Sequence, residues 1–277
     1  MIDASAPIGV FDSGVGGLTV LAALRARLPH ERFVYLGDTA RLPYGTKTGH
    51  TVARYALQAA RCLMARQVKL LVIACNTASA VAIEPLSSAS ELAGVPVIGV
   101  VEPGADAAVA RSSSGRIAVI GTESTIRGGA YERAIAARRE DAVVTGRACP
   151  LFVALAEEGW VTGSVPTEVA RTYLQSLVSG PAGDEHDTLV LGCTHFPVLA
   201  EVIASVCGPR VALVDSAATT AEAVAARLEH DGLLAPAAAG APAPTLLATD
   251  GAERFARVGA QFLGLPLAAA DVEIVDL

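Results

Sequence analysis

The chain has few aromatic residues and no excess of positive charge. Aromatic residues make up 4% of the 277 positions while 52% are hydrophobic, so aliphatic side chains must fill the protein interior. The net charge of -7 argues against a dedicated nucleic-acid binder, because such proteins carry a basic face or stripe. The length allows one large domain or two domains of ordinary size.

Long apolar runs and paired cysteines are also absent. No stretch approaches the uninterrupted apolar length that a membrane span requires, and residues 1–11 lack the basic and apolar regions of a secretory signal. An odd number of cysteines without a CxxC pair favours neither a disulfide framework nor a zinc site. We therefore expect a cytoplasmic protein with free thiols, no metal ion, and no membrane or nucleic-acid partner. The five cysteines are Cys62, Cys75, Cys149, Cys193 and Cys207.

Short aliphatic runs alternate with helical periodicity, which is typical of β-α units wound on parallel strands. The segments Ile8-Gly9-Val10 and Ile117-Ala118-Val119 correspond, and each precedes a turn rich in glycine and hydroxyl groups. This correspondence favours an internal duplication, although buried parallel strands also resemble one another by chance. The predicted strands lie at 8–11, 33–36, 70–74, 97–101, 117–120, 142–145, 188–191, 211–214 and 246–248.

The pattern predicts an α/β fold. We expect two similar open parallel-sheet domains related by pseudo-symmetry, with the active site in the cleft between them. The first domain comprises residues 1–97 plus 210–277, and residues 98–209 form the second domain as an insertion. A segment rich in proline and alanine over 234–244 is interpreted as a surface linker within the first domain.

Two apolar runs end in a cysteine beside hydrogen-bonding residues, at 71–77 and 189–195. Ligands of open α/β sheets bind at the carboxyl ends of the strands, where both cysteines are predicted. A lone cysteine in an aliphatic run belongs more often to the core, and Cys62, Cys149 and Cys207 are interpreted in this way. Cys75 and Cys193 differ because each is expected where a strand ends and a helix begins, which stabilises a thiolate. Two thiols facing one cleft suit proton transfer with inversion.

The first predicted strand leads into Asp12, Ser13 and several glycines, which let the backbone approach a ligand or an anion. Helix capping by Asp12 or Ser13 is the alternative. Thr19 stands where a dinucleotide-binding fingerprint needs its third glycine, which argues against that kind of site. Arg41, near a turn-prone Pro-Tyr-Gly sequence, is equally compatible with a ligand contact, an ion pair or a solvated charge.

Two further side chains are interpreted as acid-base candidates. His195 stands two residues after Cys193, which favours an acid-base partner over a neutral histidine in the core. Glu157 and Glu158 lie on a helix predicted after Cys149-Pro150, where either carboxylate could face the cleft or solvent, and their spacing does not decide between them.

At these residues the chain resembles the glutamate racemase family, within the aspartate/glutamate racemase superfamily. These enzymes work without a cofactor and supply D-glutamate for peptidoglycan. The resemblance covers nearly the whole chain, and its segments occur in the family's order. They are FDSGVGGLTV, GDTARLPYG, ACNTASA, GTESTI, ACPLFV and GCTHFPVL.

The resemblance implies roles for particular residues. Cys75 and Cys193 correspond to the two acid-base thiols, Asp12 assists Cys75, His195 assists Cys193, and Glu157 matches the family's cleft glutamate. Substrate contacts are implied for Asp12, Ser13, Pro43, Tyr44, Gly45, Asn76, Thr77, Thr122, Thr125, Thr194 and His195.

The resemblance also implies glutamate as substrate, no cofactor and a homodimer. One alternative is a racemase of another acidic amino acid such as aspartate. A cysteine-dependent hydrolase is a second alternative, but it leaves one of the two thiols without a role. Some members of the family inhibit DNA gyrase, although nothing in this acidic sequence supports that interaction.

Overall fold

The computed structural model describes residues 2–92, 94–178, 185–237 and 242–277. Within these residues, the strands form one six-stranded and one four-stranded sheet, and every strand pair is parallel. This arrangement confirms the predicted α/β class with two open parallel sheets. The strands are β1 (Ile8–Asp12), β2 (Phe33–Gly37), β3 (Leu70–Ile73), β4 (Val97–Gly99), β5 (Arg116–Gly121), β6 (Val143–Ala148), β7 (Thr188–Gly192), β8 (Ala212–Asp215), β9 (Thr245–Ala248) and β10 (Val272–Ile274).

The two sheets repeat one topology. The first sheet has the order β10-β9-β2-β1-β3-β4, and the second has the order β6-β5-β7-β8. Strands β2-β1-β3-β4 therefore correspond one by one to β6-β5-β7-β8, with β9 and β10 added at the free edge of β2. The correspondence places Cys75 after β3 and Cys193 after the equivalent strand β7.

The placement of one predicted strand was wrong. The strand expected at 211–214 was assigned to the first half, but β8 pairs with β7 in the second sheet. The sequence of an aliphatic strand does not show which sheet the strand joins, since the pairing partner lies elsewhere in the sequence.

The expected domain boundary at residue 97 falls inside β4, which pairs throughout with β3. The domain division stays a prediction, and of the expected linker at 234–244, residues 238–241 lie outside the described residues.

Helices cover the faces of both sheets. The helical segment that follows β5 is divided in two, because Gly129 adopts a left-handed conformation with φ of 62°. Two of the helices have a threonine as N-cap residue. Thr48 Oγ1 accepts a hydrogen bond from the Thr51 amide, and Thr122 Oγ1 accepts one from the Thr125 amide. The α-helices are α1 (Leu18–Arg27), α2 (Gly49–Met64), α3 (Asn76–Ser87), α4 (Val101–Arg111), α5 (Glu123–Gly128), α6 (Ala130–Ala136), α7 (Pro150–Glu157), α8 (Ser164–Val178), α9 (Ala200–Cys207), α10 (Ser216–His230) and α11 (Ala252–Leu263).

The halves meet through packed helices as well as across a cleft. Helix α1, which follows β1, packs against α10, which follows β8. Arg27 of α1 forms an ion pair with Glu222 of α10.

The residues of β1, β2, β3 and β7 are all buried, which explains their continuous aliphatic sequences. In the described part of the chain, no helix is long and apolar enough to cross a bilayer.

Candidate active site

A cavity of about 400 Å³ lies between the carboxyl ends of the strands of the two sheets. Its wall contains both cysteines singled out from the sequence, one from each half of the molecule. Most of the other predicted site residues also line it. The predicted residues in the wall are Ser13, Pro43, Tyr44, Gly45, Cys75, Asn76, Thr77, Thr122, Glu157, Cys193, Thr194 and His195.

Cys75 stands at the start of helix α3, as the sequence predicts. It is the N-cap residue, and its Sγ lies 3.5 Å from Ser13 Oγ. Burial raises the pKa of the Cys75 thiol to about 12, and the negative charge of Asp12 acts in the same direction. The Cys75 side chain is therefore held as a neutral thiol at neutral pH, and burial outweighs the thiolate stabilisation expected from the helix start.

Asp12 lies behind the cavity wall. Its side chain is fully buried, and Oδ2 accepts a hydrogen bond of 2.9 Å from the Gly14 amide. Burial raises the pKa of Asp12, while the charge of His195 and nearby backbone amides act to lower it. A β-carbon at Gly17 would lie 2.5 Å from Cβ of Asp12, so the glycine makes room for this carboxyl group.

Cys193 has a different environment from Cys75, and the prediction of a helix start there was wrong. A short 3-10 helix begins at Phe196, and helix α9 begins only at Ala200. The charge near Cys193 comes instead from His195, whose Nδ1 lies 3.9 Å from Sγ. The two thiols occupy equivalent strand ends but have different neighbours.

His195 connects Cys193 to Glu157. The imidazole Nε2 lies 3.2 Å from Glu157 Oε1, and the other oxygen of that carboxylate lies 2.5 Å from Nη2 of Arg254. Burial acts to lower the pKa of His195, but contacts with Cys193 and Glu157 outweigh burial and raise it to about 10. The hydrogen bond with His195 lowers the pKa of Glu157. Glu158 is exposed, so the structure distinguishes the two glutamates that spacing left open.

The loop at Pro43-Tyr44-Gly45 forms another part of the wall, next to a cis Leu42-Pro43 peptide. Hydrogen bonds and an ion pair with Asp38 hold this loop in place. Asp38 follows β2 and is fully buried. Tyr44 donates its hydroxyl hydrogen to Asp38 Oδ2, and Nε of Arg41 lies 2.7 Å from the same oxygen. Arg41 therefore forms an ion pair, which was one of the three interpretations left open.

Three threonine hydroxyls meet across the two halves. Oγ1 of Thr77 lies 3.0 Å from Oγ1 of Thr122 and 3.1 Å from that of Thr125, and the last two are 3.0 Å apart. Thr125 lies behind this group and does not line the cavity. Nearby, Tyr131 donates to Oδ1 of Asn76, which leaves the buried Nδ2 of Asn76 without a protein partner among the described residues. The hydrogen bond from Tyr131 therefore holds the Asn76 side chain in an orientation that leaves Nδ2 available as a donor.

Several contributing residues were missed from the sequence. The wall also includes Gly14, Leu42, Thr46 and Glu123, of which Gly14, Leu42 and Glu123 lie inside the quoted motifs and Thr46 directly follows one of them. No local sequence pattern indicates a role for Arg254, because its partner Glu157 lies 97 positions away along the chain.

The arrangement supplies two thiols that reach one small cavity from different halves of the protein. Around them are neutral hydrogen-bond donors and one histidine with a raised pKa. Among the described residues that line the cavity there is no lysine or arginine, and the hydrogen-bond donors that the wall offers are hydroxyls, amides and His195. Such a site can remove and replace a proton on a small anionic molecule.

Residues 19–224 match the Asp/Glu/Hydantoin racemase family. The chain is 51% identical to a glutamate racemase from Geobacter metallireducens over 257 residues, which cover 93% of this chain and 92% of that protein. It is 44% identical to a glutamate racemase from Chlorobaculum tepidum over 276 residues, which cover 100% of this chain and 98% of that one.

Solved structures agree. The fold matches a glutamate racemase from Thermus thermophilus in complex with β-chloro-D-alanine, with a TM-score of 0.86 and 45% identity over 99% of this chain and 98% of the other. It also matches a glutamate racemase from Francisella tularensis in complex with D-glutamate, with a TM-score of 0.88 and 35% identity over 99% and 98% of the two chains.

Proposed function

Because the chain belongs to the Asp/Glu/Hydantoin racemase family and is an isomerase, we propose that it interconverts L- and D-glutamate by proton transfer between two cysteines. The observation that carries this proposal is the position of the two thiols. Cys75 and Cys193 follow equivalent strands of the two sheets and line one cavity. A base and an acid that face one carbon from two sides invert its configuration.

In the proposed reaction, the Cys193 thiolate removes the α-proton of L-glutamate. The protonated His195 beside Sγ stabilises the thiolate by charge. Cys75 then donates its proton to the opposite face of the carbanion, and burial, which raises its pKa to about 12, keeps this proton in place at neutral pH. The products are D-glutamate, a Cys75 thiolate and a Cys193 thiol.

The roles reverse for D-glutamate, and here Asp12 assists Cys75. Burial raises the pKa of Asp12, a shift typical of carboxyl groups that take part in proton transfer. Its side chain lies behind the cavity wall, so it acts on the thiol rather than on the substrate. Glu157 acts on the other side by orienting His195.

The carbanion forms without an electron sink from a cofactor, so the cavity itself must stabilise it. The substrate's ammonium group lies next to the carbanion carbon and offsets part of its charge. Neutral donors including Ser13, Asn76, Thr77 and Thr194 hold the carboxylates, and exclusion of water strengthens these interactions. The unpartnered Nδ2 of Asn76 fits such a carboxylate contact.

The remaining parts of the proposal concern the cell. The product D-glutamate would serve peptidoglycan synthesis in the cytoplasm, and the active form would be a homodimer. These three statements follow from the family resemblance and from the composition, and they remain predictions.

The test is racemisation of L-glutamate in deuterated water without added cofactor, for the wild type, Cys75→Ser and Cys193→Ser. Optical rotation and α-deuterium content are followed together. We expect deuterium incorporation with racemisation in the wild type and loss of racemisation in both variants. Cys62→Ser is the matched control, since Cys62 lies in α2 away from the cavity and should leave the rate unchanged.

Two outcomes would contradict the proposal. Racemisation by Cys193→Ser at the wild-type rate would exclude the two-thiol mechanism. Turnover of L-aspartate without turnover of L-glutamate would move the substrate to another acidic amino acid while keeping the reaction class.

A further inference from the structure

We infer that Arg254 is a positioning residue for the reaction, which holds Glu157 so that His195 keeps its contact with Cys193. This inference rests on the proposed function, in which Cys193 acts on L-glutamate. Arg254 belongs to α11, between β9 and β10 of the six-stranded sheet, whereas Glu157 belongs to α7 of the other half. The ion pair therefore joins the two halves at the mouth of the cleft.

The contacts form a chain from the surface to the thiol. Arg254 Nη2 lies 2.5 Å from Oε2 of Glu157, and Oε1 of the same carboxylate lies 3.2 Å from Nε2 of His195. Nδ1 of His195 lies 3.9 Å from Sγ of Cys193. Because Arg254 occupies one carboxylate oxygen, the other is directed at the imidazole.

Glu157 needs such a partner because of its place in its helix. It is the last residue of α7, where the unpaired carbonyl groups carry a partial negative charge that repels a carboxylate. Its side chain has several rotatable bonds and is partly accessible to solvent, so an unpaired Glu157 can turn away from His195. Arg254 offsets the repulsion and selects one orientation.

Helix α11 contacts the same imidazole a second time. The ring of Phe262 meets that of His195 edge to face, with the centroids 5.1 Å apart. Arg254 and Phe262 thus act from one helix on the Glu157–His195 pair of the opposite half. The position of α11 is thereby coupled to the alignment of Cys193.

The variant that tests this is Arg254→Gln, with Arg257→Gln as the matched control. Arg257 is an exposed arginine of the same helix, so its removal takes away the same charge one turn further on. A third variant, Arg254→Lys, keeps a cation at the position and should restore part of the activity. Thermal melting of all three shows whether the fold is intact.

The readout is the primary isotope effect on kcat/KM, measured with α-deuterated L-glutamate and with α-deuterated D-glutamate. Since the enantiomers have equal free energy, kcat/KM must fall by the same factor in both directions, and we expect about tenfold, because a slightly displaced catalytic group costs up to about 100-fold. Transfer at Cys193 then limits the rate. The isotope effect with L-glutamate should therefore rise, and that with D-glutamate should fall towards one.

Arg254→Gln kinetics equal to those of Arg257→Gln would overturn the inference. So would a loss of activity that leaves both isotope effects unchanged, because a merely structural role does not select one proton transfer. The opposite asymmetry would support the positioning role but reverse the assignment of the two thiols. No racemisation of glutamate by the wild type would overturn the proposed function and this inference with it.

Discussion

Gly16 lies directly against His195. A β-carbon at position 16 would fall 2.4 Å from Nδ1 of the imidazole and 2.5 Å from Oγ1 of Thr194. The backbone of the loop after β1 in one half is therefore in close contact with residues 193–195 of the other half, and no side chain lies between them. Thr19 adds to this contact by donating a hydrogen bond of 3.0 Å to the carbonyl oxygen of Thr194.

This contact predicts that Gly16→Ala displaces His195 from Cys193. Real β-carbons do not approach ring atoms this closely, so either the loop or the imidazole must move. We expect kcat/KM for glutamate to fall by about 100-fold, the cost of a displacement near 1 Å at a reacting group. Steady-state racemisation kinetics of the purified variant provide the measurement.

Gly128→Ala serves as the control for Gly16→Ala. A β-carbon at Gly128 meets no atom within 4 Å, and the residue lies in α5. Its racemisation kinetics should equal those of the wild type. A fully active Gly16→Ala enzyme would show that the loop moves freely and that the contact does not hold His195.

A second prediction concerns Asp38→Asn. Asp38 Oδ2 accepts from Tyr44 and Arg41, and Oδ1 accepts from Thr249. An asparagine offers an N–H group to at least one of these donors, which leaves buried groups unpaired at a cost of about 1–3 kcal/mol. Because the loop carrying Tyr44 lines the cavity, we expect KM for glutamate to rise by about tenfold, equivalent to about 1.4 kcal/mol.

The control for Asp38→Asn is Asp231→Asn. Asp231 also pairs with an arginine, Arg227, but this pair lies at the surface on α10 and its following turn. Surface pairs contribute about 0–1 kcal/mol, so unfolding and KM should change little. An unchanged KM in Asp38→Asn would show that the hydrogen bonds between Asp38 and the loop do not contribute to substrate binding.

The sequence predicted the strand ends well and the long-range contacts poorly. Cys75, Cys193 and His195 could be selected because local patterns place them at the carboxyl edge of a buried strand. The contact of Asp38 with Thr249 spans 211 positions, and no local pattern indicates it. Position within a helix had the same limit, since only the end of α7 decides that Glu157 rather than Glu158 faces His195.

The two errors have one physical origin. Strand β8 was assigned to the first half, and Cys193 was given a helix start, because the local sequence shows neither the pairing partner of a strand nor the residue at which the next helix begins. The first sheet carries β9 and β10 beyond the repeated strands, so similarity of a segment does not fix its sheet. Pairing between strands is decided by packing over the whole domain.

A third prediction concerns a buried ion pair far from the cavity. Lys69 Nζ lies 2.6 Å from Oε2 of Glu31, and neither residue is more than 3% exposed. Lys69→Met leaves the carboxylate of Glu31 buried without its counter-charge, which we expect to destabilise the protein by about 3–5 kcal/mol. Urea unfolding followed by circular dichroism measures the change, and kcat should stay at the wild-type value.

A matched pair of variants tests the cause of this effect. The double variant Lys69→Met with Glu31→Leu removes both charges and should recover most of the lost stability, because no ion remains buried. Arg66→Met breaks a surface pair with Glu273 and should cost about 0–1 kcal/mol. A double variant no more stable than Lys69→Met would assign the loss to packing instead of charge.

The last prediction concerns pH. Although burial opposes it, contact with Cys193 and Glu157 raises the pKa of His195 to about 10, above the value of about 6.5 in an unfolded chain. Protonation therefore favours the folded state: this stabilisation is fully present below pH of about 6.5 and is lost as the pH rises through about 10. The melting temperature of the wild type should fall relative to that of His195→Asn over this interval.

Activity should follow the same proton. If the charge of His195 stabilises the Cys193 thiolate, conversion of L-glutamate declines as the pH rises through about 10, while burial keeps Cys75 protonated up to about pH 12. His195→Asn should lower kcat/KM by about 100-fold, the lower range of contributions from positioned acid-base groups, and should remove this alkaline decline. Profiles of kcat/KM against pH that coincide in shape for both proteins would assign the decline to another group.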